Sequence, residues 1–286
     1  MPWRNLCSSL EVSIYMKQTI AIIGHGYVGQ ALENYFADKY TIVIYDPAKG
    51  CTDQTVVNQA DLAIVSVPTP MLPDGSVDLS IIEQTFSWLQ TPAVVLKSTV
   101  PPGTTARLAK TYGITDQLVF SPEYIGEGGY PVPYWENMPH PTDMKLHRHL
   151  LFGGSSQARK LVIPFFERVS GPFCSYHSTD ATTAELTKYM ENTWIATKVT
   201  FCNEFYDIAQ AYDVDWHELR ELWLSDGRVG PSHTLVYADR RGFDGKCIPK
   251  DTNGMVHNAA TVGYEAKFLQ SVLNRNEEFK NNGVLK

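Results

Sequence analysis

The segment KQTIAIIGHGYVGQALENYFADKYTIVIYDP, residues 17 to 47, has the pattern of a strand, a glycine turn, a helix and a second strand. Gly24, Gly26 and Gly29 match the spacing GxGxxG. In this context the first glycine makes a tight turn, the second lets backbone approach a pyrophosphate, and the third lets the helix pack on the strand. The helix amino end offers N–H groups to phosphates. The segment predicts a dinucleotide-binding unit, with a chance glycine turn as the alternative.

An acid closes the second strand of this segment. Asp46 follows Gly24 by 22 positions, and a carboxylate at this place accepts hydrogen bonds from both ribose hydroxyls of a dinucleotide. The same carboxylate repels a 2′-phosphate, so the sequence favours NAD over NADP. Because the strand, the helix and the acid all agree with the glycine spacing, we prefer the NAD-binding interpretation to a chance turn.

Three more short apolar runs follow at the spacing of an α/β protein, and each ends in polar or proline-rich residues. They are DLAIVSVPTP (61 to 70), PAVVLKSTVPPGTT (92 to 105) and QLVFSPEY (117 to 124). In an open parallel sheet, ligands bind beyond the carboxyl ends of the strands. We therefore expect Thr69, Thr99 and Glu123 to surround one crevice. For VPTP alone, simple strand termination explains the sequence as well.

The second half of the chain has a different pattern. From about Thr179, TDATTAELTKYMENTWIATKVTFCNEFYDIAQAYDVD repeats apolar residues at intervals of three and four, which predicts a long helix. Lys188 and Asn192 are four residues apart and so share one face of it. A cation and an amide in this arrangement can hold an oxyanion. They can also be ordinary surface residues, and the helix pattern alone leaves both interpretations open.

A lone thiol lies in GFDGKCIPKD, residues 242 to 251. Gly242 and Gly245 permit backbone angles that other residues resist, and Pro249 suits the first position of a helix. Cys247 would then face the positive end of that helix, which favours the nucleophilic thiolate. The alternative is a small buried hydrophobic residue in a turn, and these ten residues do not decide between the two.

Composition narrows the class of protein. The chain has 286 residues, 43% of them hydrophobic and 19% charged, with a formal net charge of -7, so we expect an acidic globular protein with no nucleic-acid partner. We expect no membrane segment, a cytoplasmic location and an N-terminal extension at residues 1–15. The scattered cysteines lack metal spacing, which predicts thiols without disulfides and no metal site: Cys7, Cys51, Cys174, Cys202 and Cys247. Three histidines are expected to be solvated: His140, His147 and His149.

Seven motifs in sequence order carry a family resemblance: IIGHGYVGQAL, SVPTP, KSTVPPGTT, SPEYIGEG, ELTKYMENTWIATKVTFCNEF, DGRVGP and GFDGKCIPKD. Together they resemble the UDP-glucose/GDP-mannose dehydrogenase family over most of residues 17 to 281. The resemblance implies an α/β fold, with an N-terminal Rossmann-like NAD-binding domain (16–177) followed by an all-helical dimerisation domain (178–286). It implies a homodimer that oxidises a sugar or sugar-nucleotide primary alcohol to a carboxylate with NAD, in two steps.

The resemblance also assigns roles to residues. Cys247 matches the family nucleophile, Asp251 the carboxylate that assists hydrolysis, and the pair Lys188 and Asn192 the groups that stabilise negative charge on oxygen. Two further matches handle the proton and position water: Thr99 and Glu123. Matches to the cofactor contacts are Gly24, Gly26, Tyr27, Val28, Gly29, Asp46, Val67, Thr69, Thr99 and Glu127.

Three departures leave the substrate open. The family usually has a third domain after the helical one, and the connection from Asp46 to Asp61 is shorter than usual. GFDG replaces the usual GFGG, so that Asp244 adds an acid that disfavours an anionic substrate at short range. Two other functions therefore stay open: a catalytically silent nucleotide-binding or assembly protein, and a two-electron hydroxyacid dehydrogenase.

Overall fold

The computed structural model describes residues 17–125 and 143–282. Its sheet has seven strands in the order β2-β1-β3-β4-β5-β6-β7. Neighbouring strands run parallel, except that β5 and β6 are antiparallel. The strands are β1 (Thr19–Ile23), β2 (Thr41–Tyr45), β3 (Leu62–Val65), β4 (Val94–Leu96), β5 (Leu118–Phe120), β6 (His149–Gly154) and β7 (Ser175–Thr179).

Helices cover both faces of this sheet, which explains why its central strands are apolar throughout. Ile20 and Ile22 of β1 join the apolar cluster on one face, while Ala21 and Ile23 join the cluster on the other. Side chains alternate across a strand, so a strand buried on both faces needs apolar residues at every position. The helices that pack here are α1 (Tyr27–Phe36), α2 (Gln54–Asn58), α3 (Ser80–Phe86), α4 (Thr104–Tyr112) and α5 (Ser156–Ser170).

The rest of the chain is helical. It contains α6 (Ala181–Ala211), α7 (Trp216–Leu224), α8 (Cys247–Thr261) and α9 (Lys267–Asn282). The first part of α6 packs against the sheet: a Cβ at Gly153 of β6 would lie 2.5 Å from the Cβ of Ala184, so the glycine permits this close approach. Further along, α6 contacts α7, α8 and α9. This 31-residue helix therefore joins the sheet to the helical part of the chain.

The predicted α/β fold, with a Rossmann-like unit followed by helices, is confirmed. The domain boundaries 16–177 and 178–286 stay a prediction, and the predicted extension at residues 1–15 lies outside the described residues. Within the described ranges, no helix has both the length and the hydropathy that a membrane crossing requires.

Three consecutive elements were not predicted from the sequence: β6, α5 and β7. Their sequences explain why: α5 carries Pro164 in its interior, a position that usually breaks a helix. β7 is the last strand of the sheet and is mostly exposed, so it lacks the apolar run that marked the other strands. The antiparallel pairing of β6 with β5 could not be predicted from the local sequence pattern either.

Candidate functional site

The glycine turn between β1 and α1 has the geometry that the spacing predicted. Gly24 has φ +84, and a Cβ there would lie 2.7 Å from the Ser66 carbonyl oxygen. A Cβ at Gly29 would lie 2.2 Å from the Gly24 carbonyl oxygen, so only glycine fits at either place. A Cβ at Gly26 would meet nothing within 4 Å. The turn therefore has open space at the position predicted to approach a pyrophosphate.

Asp46 joins the end of β2 to this turn. Its Oδ2 accepts a hydrogen bond from the His25 backbone N–H at 2.8 Å, and its Oδ1 accepts one from the Ala48 N–H at 3.1 Å. Each carboxylate oxygen has a second lone pair, so the group retains capacity for ribose hydroxyls. Lys49, which was not among the predicted site residues, donates to the His25 carbonyl at 2.5 Å.

The residues present therefore fit an NAD molecule: an open glycine turn, an uncapped helix start and an acid where the ribose is predicted to lie. The two predicted contacts at the start of α1 are Tyr27, which is exposed, and Val28, which is half-buried. Glu127 lies outside the described residues.

The loops after β3 and β4 hold each other at the carboxyl edge of the sheet. Thr69 Oγ1 donates to the Thr99 carbonyl at 2.9 Å, and Ser98 Oγ donates to the Val67 carbonyl at 2.7 Å. Three predicted residues, Val67, Thr69 and Thr99, therefore lie in one pair of bonded loops. Their contact with a cofactor stays a prediction.

A cavity of about 480 Å³ collects four of the predicted catalytic residues. Glu123 comes from the segment after β5, Lys188 and Asn192 from α6, and Cys247 from the start of α8. Three distant parts of the chain thus meet at one opening. The remaining lining residues are Tyr124, Ile125, Glu191, Trp194, Ile195, Lys198, Ser232, His233, Asp244, Gly245, Lys246 and Ile248.

Lys188 and Glu123 form an ion pair at the cavity wall. The Lys188 ammonium donates to the Glu123 carbonyl at 2.7 Å and lies 3.6 Å from the Glu123 Oε1 atom. The other carboxylate oxygen accepts from the Ile125 N–H at 2.7 Å. Only 7% of the Lys188 side chain and 11% of the Glu123 side chain are exposed, so both charges are held in place and shielded from bulk water.

Asn192 connects the cavity to a second buried pair. Its Nδ2 donates to Asp251 Oδ2 at 2.5 Å, and the Lys250 ammonium lies 2.5 Å from Asp251 Oδ1. Asp251 is almost fully buried, with 1% exposure, and does not line the cavity itself. The described structure therefore brings Asp251 to the site through Asn192, which it orients.

Cys247 is the first residue of α8, and Pro249 is the third. The prediction that Pro249 opens the helix was wrong by two positions, because the helical turn already begins at the thiol-bearing residue. Pro249 still lies in the first turn, where a missing N–H is tolerated. Gly242 and Gly245 have φ of +73 and +90, which confirms that this loop needs glycine. Cys247 therefore lies at the positive end of a helix, as expected.

The other described thiols differ from Cys247 in their surroundings. Burial raises the pKa of Cys202 to about 11 and also raises the pKa of Cys174. Cys51 is exposed in the loop after β2, and none of these three forms a disulfide. Cys247 is half-buried on the cavity wall, where a substrate can reach it.

Sequence reasoning missed three charged residues near the site: Lys97, Glu185 and Lys250. Lys97 directly follows the apolar strand β4, and Glu185 lies one turn before Lys188 on the same helix; these two positions were the available signals. Glu185 accepts hydrogen bonds from the Gly103 and Thr105 N–H groups at 2.5 and 2.8 Å, and so binds the start of α4.

Two of the predicted solvated histidines are described. His149 is exposed at the start of β6, whereas His147 is half-buried, and burial together with the nearby Lys97 charge lowers its pKa. His140 falls outside the described ranges. Across 17–125 and 143–282, no group of three or more His, Cys, Asp and Glu side chains has an arrangement suited to a metal ion.

Asp244 lines the cavity and is 78% exposed, with its Oδ1 atom 3.7 Å from the Lys280 ammonium. The cavity is also lined by Lys198 and Lys246, while Lys280 lies beside Asp244. The acid is thus opposed by nearby positive charge, which weakens the expected repulsion of an anionic substrate.

Comparison with known proteins agrees with this geometry. Residues 48–132 match the NAD-binding domain of the UDP-glucose/GDP-mannose dehydrogenase family, and residues 182–278 match its central domain. The chain is 25% identical to UDP-glucose 6-dehydrogenase TuaD of Bacillus subtilis over 91% of its own length. That alignment spans 63% of TuaD, so the chain covers less than two thirds of this relative.

Two solved structures share the fold. A UDP-glucose dehydrogenase from Pyrobaculum islandicum superimposes with a TM-score of 0.75 at 24% identity, covering 94% of this chain and 70% of the other. Mycobacterium tuberculosis 3-hydroxyisobutyrate dehydrogenase superimposes with a TM-score of 0.67 at 15% identity, covering 94% and 95% of the two chains. With both family domains matched in order, and with the glycine turn and cavity in place, this chain belongs to the UDP-glucose/GDP-mannose dehydrogenase family.

Proposed function

We propose that the protein oxidises the primary alcohol of a sugar nucleotide to a carboxylate with NAD, using Cys247 as a covalent nucleophile. One observation carries this proposal: a single cavity is lined by Glu123, Lys188, Asn192 and Cys247, which come from three separate segments. A chain that kept the fold without the chemistry has no need to bring these four side chains together. UDP-glucose is the substrate to test first, because it is the one named for TuaD.

NAD, when bound at the glycine turn, supplies the acceptor for one hydride in each of two oxidations. In the first, the alcohol carbon loses a hydride and its hydroxyl loses a proton, which leaves an aldehyde. The Cys247 thiolate then adds to the aldehyde carbon, and the new alkoxide takes a proton to give a thiohemiacetal. Loss of the second hydride and of the hydroxyl proton leaves a thioester. Water cleaves the C–S bond, which releases the carboxylate and restores the thiol.

The cavity residues have complementary tasks in this scheme. The Lys188 ammonium and the Asn192 amide stabilise the negative charge that develops on the substrate oxygen. Glu123, held beside Lys188, accepts or delivers the proton through water. Asp251 fixes the orientation of Asn192 through their 2.5 Å hydrogen bond. The position of Cys247 at the start of α8 favours the thiolate.

We also propose a homodimer that packs along α6. Large apolar side chains are exposed along this helix, among them Met190 at 76%, Trp194 at 59% and Tyr212 at 79%. Phe201 and Phe205 continue the same stripe. Trp194 also lines the cavity, so a second copy on this stripe would close one side of the site. Light scattering should show a dimer that Met190→Glu with Phe201→Glu dissociates.

The activity is tested by incubating the protein with NAD and UDP-glucose. We expect two NADH per UDP-sugar acid formed, with no aldehyde released. Cys247→Ser should block the second oxidation. Cys51→Ala, which alters an exposed thiol outside the cavity, should form NADH at the wild-type rate. A panel of UDP- and GDP-sugars that yields no NADH would overturn the proposal.

A two-electron dehydrogenase is the second candidate, because the superposition on 3-hydroxyisobutyrate dehydrogenase covers almost all of both chains. The two candidates differ in their need for sulfur. A two-electron enzyme would form one NADH per substrate and would keep its rate in Cys247→Ala. A silent assembly protein would bind NAD and form none.

A further inference from the structure

Lys97 is a buried cation that the proposed chemistry does not use. It follows β4 directly and has 2% exposure. Its ammonium donates to Ser121 Oγ at 3.0 Å and to the Pro122 carbonyl at 3.1 Å. Both acceptors lie in the segment that leads from β5 to Glu123. A buried ammonium is costly unless it is bonded, so its presence beside the site calls for a role.

Two lysines hold this segment by consecutive carbonyls. Lys97 reaches it from β4 and binds the Pro122 carbonyl, while Lys188 reaches it from α6 and binds the Glu123 carbonyl at 2.7 Å. The Glu123 backbone is thus fixed from two directions. Because the Glu123 carboxylate lies 3.6 Å from the Lys188 ammonium, movement of this segment would disturb the ion pair.

Charge adds to this geometry. The charged groups around Lys97 are Glu123, which stabilises its ammonium, and Lys188, which destabilises it; His147 also responds to the Lys97 charge. Burial is the largest effect and lowers the pKa of Lys97 to about 8. Below that pH, Lys97 adds one positive charge beside Lys188 and Glu123. Above it, this charge is lost.

We propose that Lys97 is a positioning residue for Glu123 and Lys188, and that its charge favours binding of the carboxylate product. This inference rests on the proposed oxidation of a sugar nucleotide. Lys97 acts through the segment Ser121 to Glu123 and does not touch the reacting atoms. The structure supplies the matching variants: Lys97→Arg keeps a permanent charge, Lys97→Met keeps the length without charge, and Lys160→Met removes an exposed lysine elsewhere on α5.

The main experiment is calorimetric titration of UDP-glucuronate, the acid expected from UDP-glucose, into the NADH-saturated protein at pH 7 and pH 9.5. Wild type and Lys160→Met should lose about tenfold in affinity at the higher pH, as Lys97 gives up its proton. Lys97→Arg should lose less than threefold. Lys97→Met should bind about tenfold more weakly than wild type at pH 7 and show no further loss.

Thermal unfolding gives a second readout that needs no ligand. The folded-state pKa of Lys97 is about 8 and its usual value is 10.5, so the unfolded chain holds the proton more tightly between these values. The stability of wild type relative to Lys97→Met is therefore greatest above pH 10.5 and is lost as pH falls through 8. This comparison also shows whether Lys97→Met is folded.

The outcomes separate the inference from the proposed function. A Lys97→Met protein that binds UDP-glucuronate with the affinity and pH dependence of wild type overturns the positioning role and leaves the oxidation standing. A pH dependence of binding that survives in Lys97→Met also overturns the positioning role. A pH dependence that vanishes in Lys160→Met overturns it as well. Wild-type protein that binds no sugar nucleotide at either pH overturns the proposed substrate, and the inference with it.

Discussion

The helix starts of this protein fall into two groups. The side chains of Ser155 and Asp180 accept hydrogen bonds from the first turns of α5 and α6, as capping residues usually do. α1, α3 and α8 begin after Gly26, Leu79 and Lys246, none of which provides a side-chain cap. At α3 the Asp78 side chain accepts from the Ser80 N–H at 2.8 Å instead. The other two starts are those at the glycine turn and at Cys247. The two helix starts at which chemistry is proposed therefore have no capping side chain at the N-cap position, unlike α5 and α6.

α4 is an intermediate case, because its cap comes from another helix. Gly103 precedes α4 and provides no side chain, yet Glu185 of α6 accepts from its N–H and from that of Thr105. Glu185 lies one turn before Lys188. The same contact that satisfies α4 therefore places α6 against the sheet, with Lys188 next to Glu123.

The largest effect is expected from removing the sulfur at the uncapped start of α8. Cys247→Ala should lower acid formation by about three orders of magnitude or more, the scale seen when an enzyme loses its nucleophile. NAD affinity should not change, because no residue of the glycine turn lines the cavity that holds Cys247. NADH absorbance and product analysis measure the two quantities. Acid formation at the wild-type rate would show that the start of α8 is not catalytic.

At the uncapped start of α1, two alanine substitutions should separate folding from binding. Gly29→Ala places a Cβ 2.2 Å from a backbone oxygen and should destabilise the fold by about 1–3 kcal/mol, with loss of NAD binding. Gly26→Ala meets nothing within 4 Å and should keep the wild-type melting temperature while weakening NAD binding. Melting curves and calorimetry give both values. Unchanged NAD affinity in Gly26→Ala would argue that the cofactor does not approach there.

The cap that α6 provides to α4 should have a smaller effect. Glu185→Ala leaves a buried and a partly buried N–H group without their acceptor and should lower the free energy of unfolding by about 1–3 kcal/mol. Glu185→Gln keeps an acceptor oxygen and should lose less. Urea unfolding measures the difference. Because Lys188 shares this turn of α6, the alanine variant should also lower acid formation; equal stability of the two variants would exclude the capping role.

The smallest effect is expected at an ordinary capped helix. Ser155 Oγ accepts from the Ala158 N–H at 3.1 Å, and Ser155→Ala should lower the free energy of unfolding by about 1 kcal/mol. NAD affinity and the alkylation rate of Cys247 should match wild type. A change in either would mean that capped and uncapped starts are coupled, and would remove the distinction drawn between them.

Much of the fold could be predicted because its signals are local. The succession of β1, glycine turn, α1 and β2 is marked by residues that are neighbours in sequence. The same holds for the apolar residues at intervals of three and four along α6. β7 could not be predicted in this way, because an exposed edge strand has little apolar pattern. Pro164 concealed α5, since packing against the sheet overrides its helix-breaking tendency.

For the site, resemblance identified Lys188, Asn192 and Cys247 as candidates, and the cavity brings them together. Lys97 and Glu185 were missed because nothing in their local sequence separates a buried lysine or glutamate from a solvated one. Their burial depends on which element packs over them. Asp251 was also identified as a candidate. It was not predicted that Asp251 lies behind the cavity wall and binds Asn192 instead of lining the cavity.

The sequence by itself determined where glycine is required, which segments form apolar strands and where an acid follows β2. These features follow from steric limits and side-chain periodicity, which act over a few residues. Only the tertiary structure decided that Lys97 and Lys188 hold consecutive carbonyls before Glu123 and that Glu185 caps α4. Such contacts join segments far apart in the chain, and their energies exist only once the helices have packed on the sheet and excluded water.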